Sequence, residues 1–167
     1  MEAKSSKPLA VVIRKPRTIE EMEQYYDIRF KVLREPLGLE RGSEKARPAI
    51  NEISGIHLFA LTPGNNKVVG AVMGFIGKEY AKVHALCVLP EYQSHGIGRA
   101  LMYALEDEMR KYGAKKVYLN SREPTVKFYE KLNYVSVKVM TKEEALQITG
   151  MEIIFVRMEK MLFDTKI

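Results

Sequence analysis

Apolar residues along this chain fall into short β-branched runs and two helical stripes, and their order predicts the architecture. Leu9-Ala10-Val11-Val12-Ile13, closed by Arg14-Lys15-Pro16, predicts a buried first strand ended by proline. Thr18 stands at a helix cap with Glu21 three residues on, and Ile19, Met22, Tyr26 and Phe30 recur at helical spacing to about Leu33. From Arg34 to Asn51, prolines, glycines and charges predict a long loop or a broken helix. Ile56–Leu61 and Val68–Ile76 flank the turn Thr62-Pro63-Gly64-Asn65-Asn66, which predicts an antiparallel hairpin; Gly77-Lys78-Glu79 then turns the chain into a strand from Tyr80 to Val88.

The strongest helical signal runs from Gly96 to Tyr112. Ile97, Ala100, Leu101, Ala104, Leu105, Met109 and Tyr112 form one stripe, Glu106 with Arg110 and Asp107 with Lys111 are placed on the solvated side, and Gly113 supplies the stop. A strand Lys116–Asn120 then leads to a short helix from about Pro124, and strand, helix, strand, helix implies a parallel crossover. A strand Tyr134–Met140, a weakly helical polar segment Thr141–Gly150 and a strand Met151–Met158 complete the pattern.

The 167 residues suit one domain, read here as 1–167, and 46% apolar with 29% charged residues excludes a disordered chain. A net charge of +6 makes an anionic partner plausible, with nucleic acid, membrane surface and phosphorylated cofactor all open. The single cysteine, Cys87, excludes an internal disulfide framework and a cysteine-based zinc site, and a reducing compartment fits best. The polar start Met1–Pro8 and the absence of an apolar run near the ~20 residues needed to span a bilayer predict a cytoplasmic protein away from membranes. Lys and Arg are spread along the chain with no arginine-rich helix and no Trp, which argues against nucleic acid.

Chemistry concentrates in Val83–Leu101, a strand, a Pro90-Glu91-Tyr92 turn, Gln93-Ser94-His95-Gly96-Ile97-Gly98 and a helix start. Glycines there let backbone N–H groups approach a phosphate, and the helix N-terminus adds partial positive charge, so the stretch reads as an anion cradle. It lacks the GK[ST] of a P-loop and the third glycine and ribose acid of a dinucleotide fingerprint.

With Val88, Pro90, Gln93, Gly96 and Gly98 filling V-x-P-x-x-[QR]-x-x-G-x-[GA], the stretch resembles motif A of the GCN5-related N-acetyltransferase (GNAT) superfamily. The strand ending at Asn120 and Pro124–Tyr134 are similar to the family's second block, with Asn133-Tyr134 in place of Gly-Phe; Asn also tolerates a left-handed C-cap. The resemblance covers roughly Ile56 to the C-terminus. It implies an α/β (α+β) GNAT fold: a mixed, mostly antiparallel twisted sheet of about 6–7 strands with one splayed parallel pair and about four helices. Residues 1–55 would face the acceptor and 56–167 would form the acetyl-CoA-binding core.

The resemblance further implies acetyl-CoA as cosubstrate, no metal, and an amine acceptor. Backbone of Leu86, Cys87 and Val88 would pair with pantetheine, the turn from Gln93 through Ser94, His95, Gly96, Ile97 and Gly98 to Arg99 would hold the phosphates, and Asn120 and Phe128 would add contacts. Direct attack on a thioester needs a base for the amine, an oxyanion donor and an acid for the thiolate. The Val88 N–H is the donor by analogy, and Tyr129 is the acid or an aromatic packed on the sheet. His84, on the face of Leu86 and Val88, is the base or a core histidine, with Glu52, Glu79, His57 or water as alternatives. Cys87, on the opposite face, reads as a small buried residue. In Ile28–Glu44 the arginines either recognise an acceptor carboxylate or phosphate or sit on a solvated loop. A homodimer is allowed, and a non-catalytic acyl-CoA sensor of the same fold is the competing reading.

Overall fold

The computed structural model describes residues 7–163, so the polar Met1–Ser6 segment lies outside the described residues. Among the described residues seven strands, β1 (Val12–Arg14), β2 (Ile56–Leu61), β3 (Val68–Ile76), β4 (Ala81–Val88), β5 (Lys116–Arg122), β6 (Val135–Val139) and β7 (Phe155–Met161), hydrogen-bond in the order β1-β2-β3-β4-β5-β7-β6, and five α-helices accompany this mostly antiparallel open sheet with one parallel pair, as the resemblance implies. Among the described residues no helix is long and apolar enough to cross a membrane.

The chain forms two compact units. The first, through Phe75 and again Ala85–Glu108, opens with β1 (Val12–Arg14) and α1 (Ile19–Leu33). The first strand starts three residues later than the apolar run predicts because the Leu9 amide donates to the His95 carbonyl at 3.1 Å rather than to a strand. Thr18 caps α1 as predicted, its hydroxyl accepting from the Glu21 amide at 3.1 Å, while the Glu21 carboxylate holds Arg14 at 2.6 Å. The predicted loop contains a 3-10 turn, Glu35–Leu37, and α2 (Ala49–Ile53). β2 (Ile56–Leu61) and β3 (Val68–Ile76) pair antiparallel from Ile56↔Gly74 to Leu61↔Val68. Tyr25 and Ile28 of α1 pack with Phe59, Leu61, Ala71, Met73 and Cys87, the last in β4 (Ala81–Val88).

Helix α3 (Ile97–Lys111) buries Ile97, Leu101, Leu105 and Met109 as its stripe predicts, but Met102 is buried too and Tyr112 stands exposed past the helix end. Glu106, predicted on the solvated side, is fully buried. The helix lies close against β3 at Gly70, where a Cβ would meet Leu101 Cδ1 at 2.9 Å, the Cys87 carbonyl oxygen at 3.2 Å and Ile97 Cγ2 at 3.2 Å.

The second unit, Ile76–His84 and Met109 onward, holds the start of β4, β5 (Lys116–Arg122), α4 (Val126–Glu130), β6 (Val135–Val139), α5 (Lys142–Thr149) and β7 (Phe155–Met161). Parallel pairing joins Ala81 to Val117 and Lys82 to Tyr118. β5 runs two residues further than predicted because β7 pairs with it as far as Arg122↔Phe155. Between β6 and β7, Thr141 and Glu144 form a reciprocal capping box, and α5 ends at Gly150 in the left-handed region. The last strand begins at Phe155 instead of Met151, because Met151 and Ile153 pack with Met140, Ala145 and Phe155 in a small core of their own.

Gly70→Ala should cost about 1 kcal/mol and Gly70→Val about 3 kcal/mol in urea unfolding. Wild-type stability for the valine variant would show that this approach is not tightly packed.

Candidate active site

The first unit contains the predicted anion cradle. β4 alternates along its length, with Ala85 and Cys87 buried and Leu86 and Val88 half-buried. Past its end the Leu89 amide donates to the Val69 carbonyl, and Pro90–Tyr92 makes one 3-10 turn that brings the Gln93 side chain back to donate to the Val88 carbonyl at 3.1 Å. Gln93 therefore braces the strand end through its side chain. Ser94 and Gly96 both take positive φ, 65° and 78°, bending the chain so that it enters α3 at Ile97. Ala100 is the first amide bonded back into the helix, to the Gly96 carbonyl, so the amides of Ile97, Gly98 and Arg99 have no carbonyl one turn behind them. A Cβ on Gly96 would meet nothing within 4 Å.

Other predicted contacts here divide by side chain and backbone. The Ile97 side chain is buried against Gly70. Arg99 is exposed, its guanidinium 5.3 Å from the centre of the Tyr103 ring. His95 is half-buried and ties down the preceding chain, its carbonyl taking the Leu9 amide and its ring nitrogen lying 3.4 Å from the Lys7 carbonyl. Cys87 is buried, and burial pushes its thiol up to about 12, so it is no nucleophile at neutral pH.

Asn120, Phe128, Tyr129 and His84 belong to the second unit. Asn120 lies opposite Arg157 on β7, and its buried Oδ1 has no hydrogen-bond partner among the described residues. A buried acceptor left open costs stability unless a ligand or water fills it, which makes this atom a candidate binding position. Ser121, Thr125 and the Arg122 carbonyl bond to one another at 2.8–3.0 Å and fix the turn from β5 into α4. On α4 the half-buried Tyr129 ring stacks edge-on with Phe128 and Tyr134, at 5.0 and 5.8 Å. Asn133 closes that helix at φ 69°, the left-handed position that the family pattern gives to glycine.

A second polar centre is not visible as a group in the sequence, although its members stand out there singly. Arg29, fully buried, donates to Glu52 Oε1 at 2.6 Å, Glu52 Oε2 at 3.3 Å, the Tyr25 hydroxyl at 3.3 Å and the Glu44 carbonyl. Tyr25 lies 2.8 Å from His57 Nδ1, while His57 Nε2 lies 2.7 Å from the Glu52 carbonyl. A carbonyl only accepts, so Nε2 carries the proton and Nδ1 receives the Tyr25 hydroxyl. Burial would raise Glu52, but the Arg29 hydrogen bonds and charge, with the Ala46 amide, hold its carboxyl below the usual range. His57 is lowered chiefly by burial. Burial and then the Glu52 charge push Tyr26 up to about 12. A carboxylate locked this way and a histidine with both nitrogens engaged are poor bases, and Glu79 stands exposed on the turn before β4. Of the arginines in Ile28–Glu44, Arg29 on α1 is thus neither solvated nor open to an acceptor, Arg34 donates to the Ser43 carbonyl, and Arg41 bonds Asp27. Only the Tyr25 and Arg29 pair, one helical turn apart, is visible as a spacing. Among the described residues no group of three His, Cys, Asp or Glu side chains could hold a metal ion.

A family model described as the acetyltransferase (GNAT) family matches residues 19–134. An acetyltransferase of Pectobacterium atrosepticum is 33% identical over 87 residues, 50% of this chain and 62% of that protein, so the chain spans under two thirds of that curated relative. The crystal structure of the ribosomal-protein-S18-alanine N-acetyltransferase from Escherichia coli superposes with a TM-score of 0.70 at 18% identity, covering 95% of this chain and 99% of that one. An aminoglycoside 6'-N-acetyltransferase complexed with coenzyme A gives 0.71 at 19% identity, over 93% and 99% of the two chains. At such identities these superpositions carry the fold alone.

Arg29→Met should destabilise the protein by about 3–5 kcal/mol, since it strands a buried carboxylate. Because the folded Glu52 value is lowered, the stabilisation it gives is present above the ordinary carboxylate value and is lost as pH falls through the lowered one. Acid unfolding curves should show Glu52→Gln less sensitive to pH in that window; identical slopes would remove Glu52 from the acid response.

Proposed function

The chain belongs to the GNAT acetyltransferase family, and on that premise we propose that it transfers an acetyl group from acetyl-CoA to a primary amine by direct attack. The observation that carries the reading is the turn into α3, with its two left-handed residues, its first-turn amides and the open space over Gly96. Consecutive amides presented at a helix start, with the helix dipole behind them, fit a pyrophosphate, and Arg99 on the outer side fits a further phosphate.

When bound, acetyl-CoA supplies the thioester whose carbonyl carbon takes the amine. Everything else falls to the chain. In this reading the backbone of Leu86, Cys87 and Val88 pairs with pantetheine, and the Val88 N–H donates to the carbonyl oxygen as charge builds there. Gln93 favours this by holding the Val88 carbonyl at the strand end. Asn120 Oδ1, buried and open, accepts an N–H from pantetheine or from the amine. His84 takes the proton from the amine, since the alternative bases Glu52 and His57 are engaged elsewhere. Tyr129, whose ring is steadied by Phe128 and Tyr134, donates its phenolic proton to the leaving sulfur.

Gly96→Val places a β-branched residue at φ 78° with its side chain in the open space over the turn. It should weaken CoA binding by at least about tenfold in calorimetry, the size of one charge-assisted hydrogen bond. Unchanged affinity would move the phosphate site elsewhere. Tyr129→Phe should lower kcat by about a hundredfold while sparing CoA binding. Turnover equal to wild type would leave Tyr129 as a packing residue. Tight CoA binding with no free CoA released across a broad amine panel would favour the sensor instead.

A further inference from the structure

The segment Lys7–Val11, ahead of β1, bears on the turn into α3, and the family pattern gives it no role. Segment and turn belong to the same compact unit. The apolar run from Leu9 reads as the opening of a strand, yet pairing with β2 begins only at Val12↔Leu61. Lys7, Pro8, Leu9 and Ala10 are exposed, and they reach the turn at His95. The Leu9 amide donates to the His95 carbonyl at 3.1 Å, and His95 Nδ1 lies 3.4 Å from the Lys7 carbonyl. With the Leu9 side chain 41% exposed, its contact with the turn is one of main chain to main chain.

His95 stands between the two left-handed residues of the turn, Ser94 at φ 65° and Gly96 at φ 78°. Its carbonyl shares a peptide plane with the Gly96 N–H, and this peptide is trans, so the two groups point in opposite directions. A bond that fixes the carbonyl on the Leu9 side therefore fixes the N–H on the other. Glycine does not make this choice by itself. Turning the peptide plane over swaps the two groups and carries φ of residue 96 between positive and negative values, both open to glycine. Nor does packing make it, since a Cβ on Gly96 would meet nothing within 4 Å. Of the two peptides that flank Gly96, the helix holds the later one, through the Ala100 amide on the Gly96 carbonyl at 3.0 Å, and Leu9 holds the earlier one.

We propose that Leu9 is a positioning residue for the cofactor, its amide selecting the peptide orientation that turns the Gly96 N–H to the pyrophosphate of CoA. This deepens the acetyl-transfer reading and rests on it. The Lys7–Val11 strap adds no contact to the ligand. It raises the fraction of molecules whose turn is ready to bind, and affinity falls by the factor by which that fraction falls. One backbone hydrogen bond of ordinary net worth sets the factor at about three- to tenfold. By reciprocity, bound CoA strengthens the Leu9 bond by the same factor.

Calorimetric titration with CoA compares the full-length protein with Leu9→Pro, which removes the amide hydrogen, and with Leu9→Ala, which keeps it. Leu9→Pro should weaken CoA by about three- to tenfold, whereas Leu9→Ala should bind as the wild type does. Wild-type affinity in Leu9→Pro would overturn the proposal. So would an equal loss in Leu9→Ala, since the side chain would then be responsible. A second measurement needs no variant and stands even where Leu9→Pro does not fold. Hydrogen exchange of the Leu9 amide, followed by NMR in the wild-type protein, should slow by about three- to tenfold at saturating CoA. An unchanged rate would overturn the proposal. Should CoA not bind the wild-type protein at all, the cofactor reading fails by itself, and titration with inorganic pyrophosphate judges the strap. Saturable binding that weakens in Leu9→Pro and persists in Leu9→Ala supports it, and no saturable binding overturns it.

Discussion

Arg29 organises the region between α1 and β2 by pointing its guanidinium at several elements at once. Glu52 on α2, the Glu44 carbonyl in the loop and Tyr25 one turn back on α1 all receive it, and Tyr25 and the Glu52 carbonyl pass the connection to His57 on β2. A five-residue helix has no stability of its own in water, so α2 depends on this anchoring. The irregular chain from Arg34 to Pro48 is likewise held near its end, where the Ala46 amide donates to Glu52 at 2.7 Å. A buried ion pair is weak evidence for net stability against an apolar replacement, but it is directional, and direction is what a loop without regular structure needs.

The turn into α3 poses a different problem, that of bending the chain sharply between a strand and a helix. Two left-handed residues within three positions of the helix start would be strained for most side chains, and here they are Ser94 and Gly96. Packing behind the turn holds the bend in place: Ile97 and Leu101 lie against Gly70, and Gln93 ties the turn to the end of β4. The same device recurs at Asn133, where a short polar side chain occupies a left-handed cap and lets α4 end close to Tyr129.

Those features are legible in the sequence because each is local. The Thr18 cap, the stripe of α3, the hairpin from Ile56 to Ile76 and the glycine pattern of the cradle all depend on residues within a few positions, and the structure holds them where the spacing puts them. What escapes depends on contacts between distant residues. Arg29 and Glu52 are 23 positions apart, and nothing in the spacing says that this arginine is buried. Glu106 occupies a helical position that the stripe assigns to solvent, yet it is fully buried. Met151 and Ile153 look like strand residues because they alternate, but their partners are Met140, Ala145 and Phe155, and that small core delays the last strand by four residues.

Net charge shows the same division between count and placement. A surplus of +6 says only that anions are welcome, and the Arg-rich Ile28–Glu44 segment is the obvious place to put them. Folding closes that segment on itself, since Arg29, Arg34 and Arg41 each find a partner between Asp27 and Glu52. Another group of cations stands on β4, β5 and β7, separated along the chain by up to 75 residues, from Lys82 to Arg157, and brought together only by strand register. Sheet register, then, decides which positive charges meet, and it sets them beside the rings of Tyr80 and Tyr118 rather than in the Ile28–Glu44 segment.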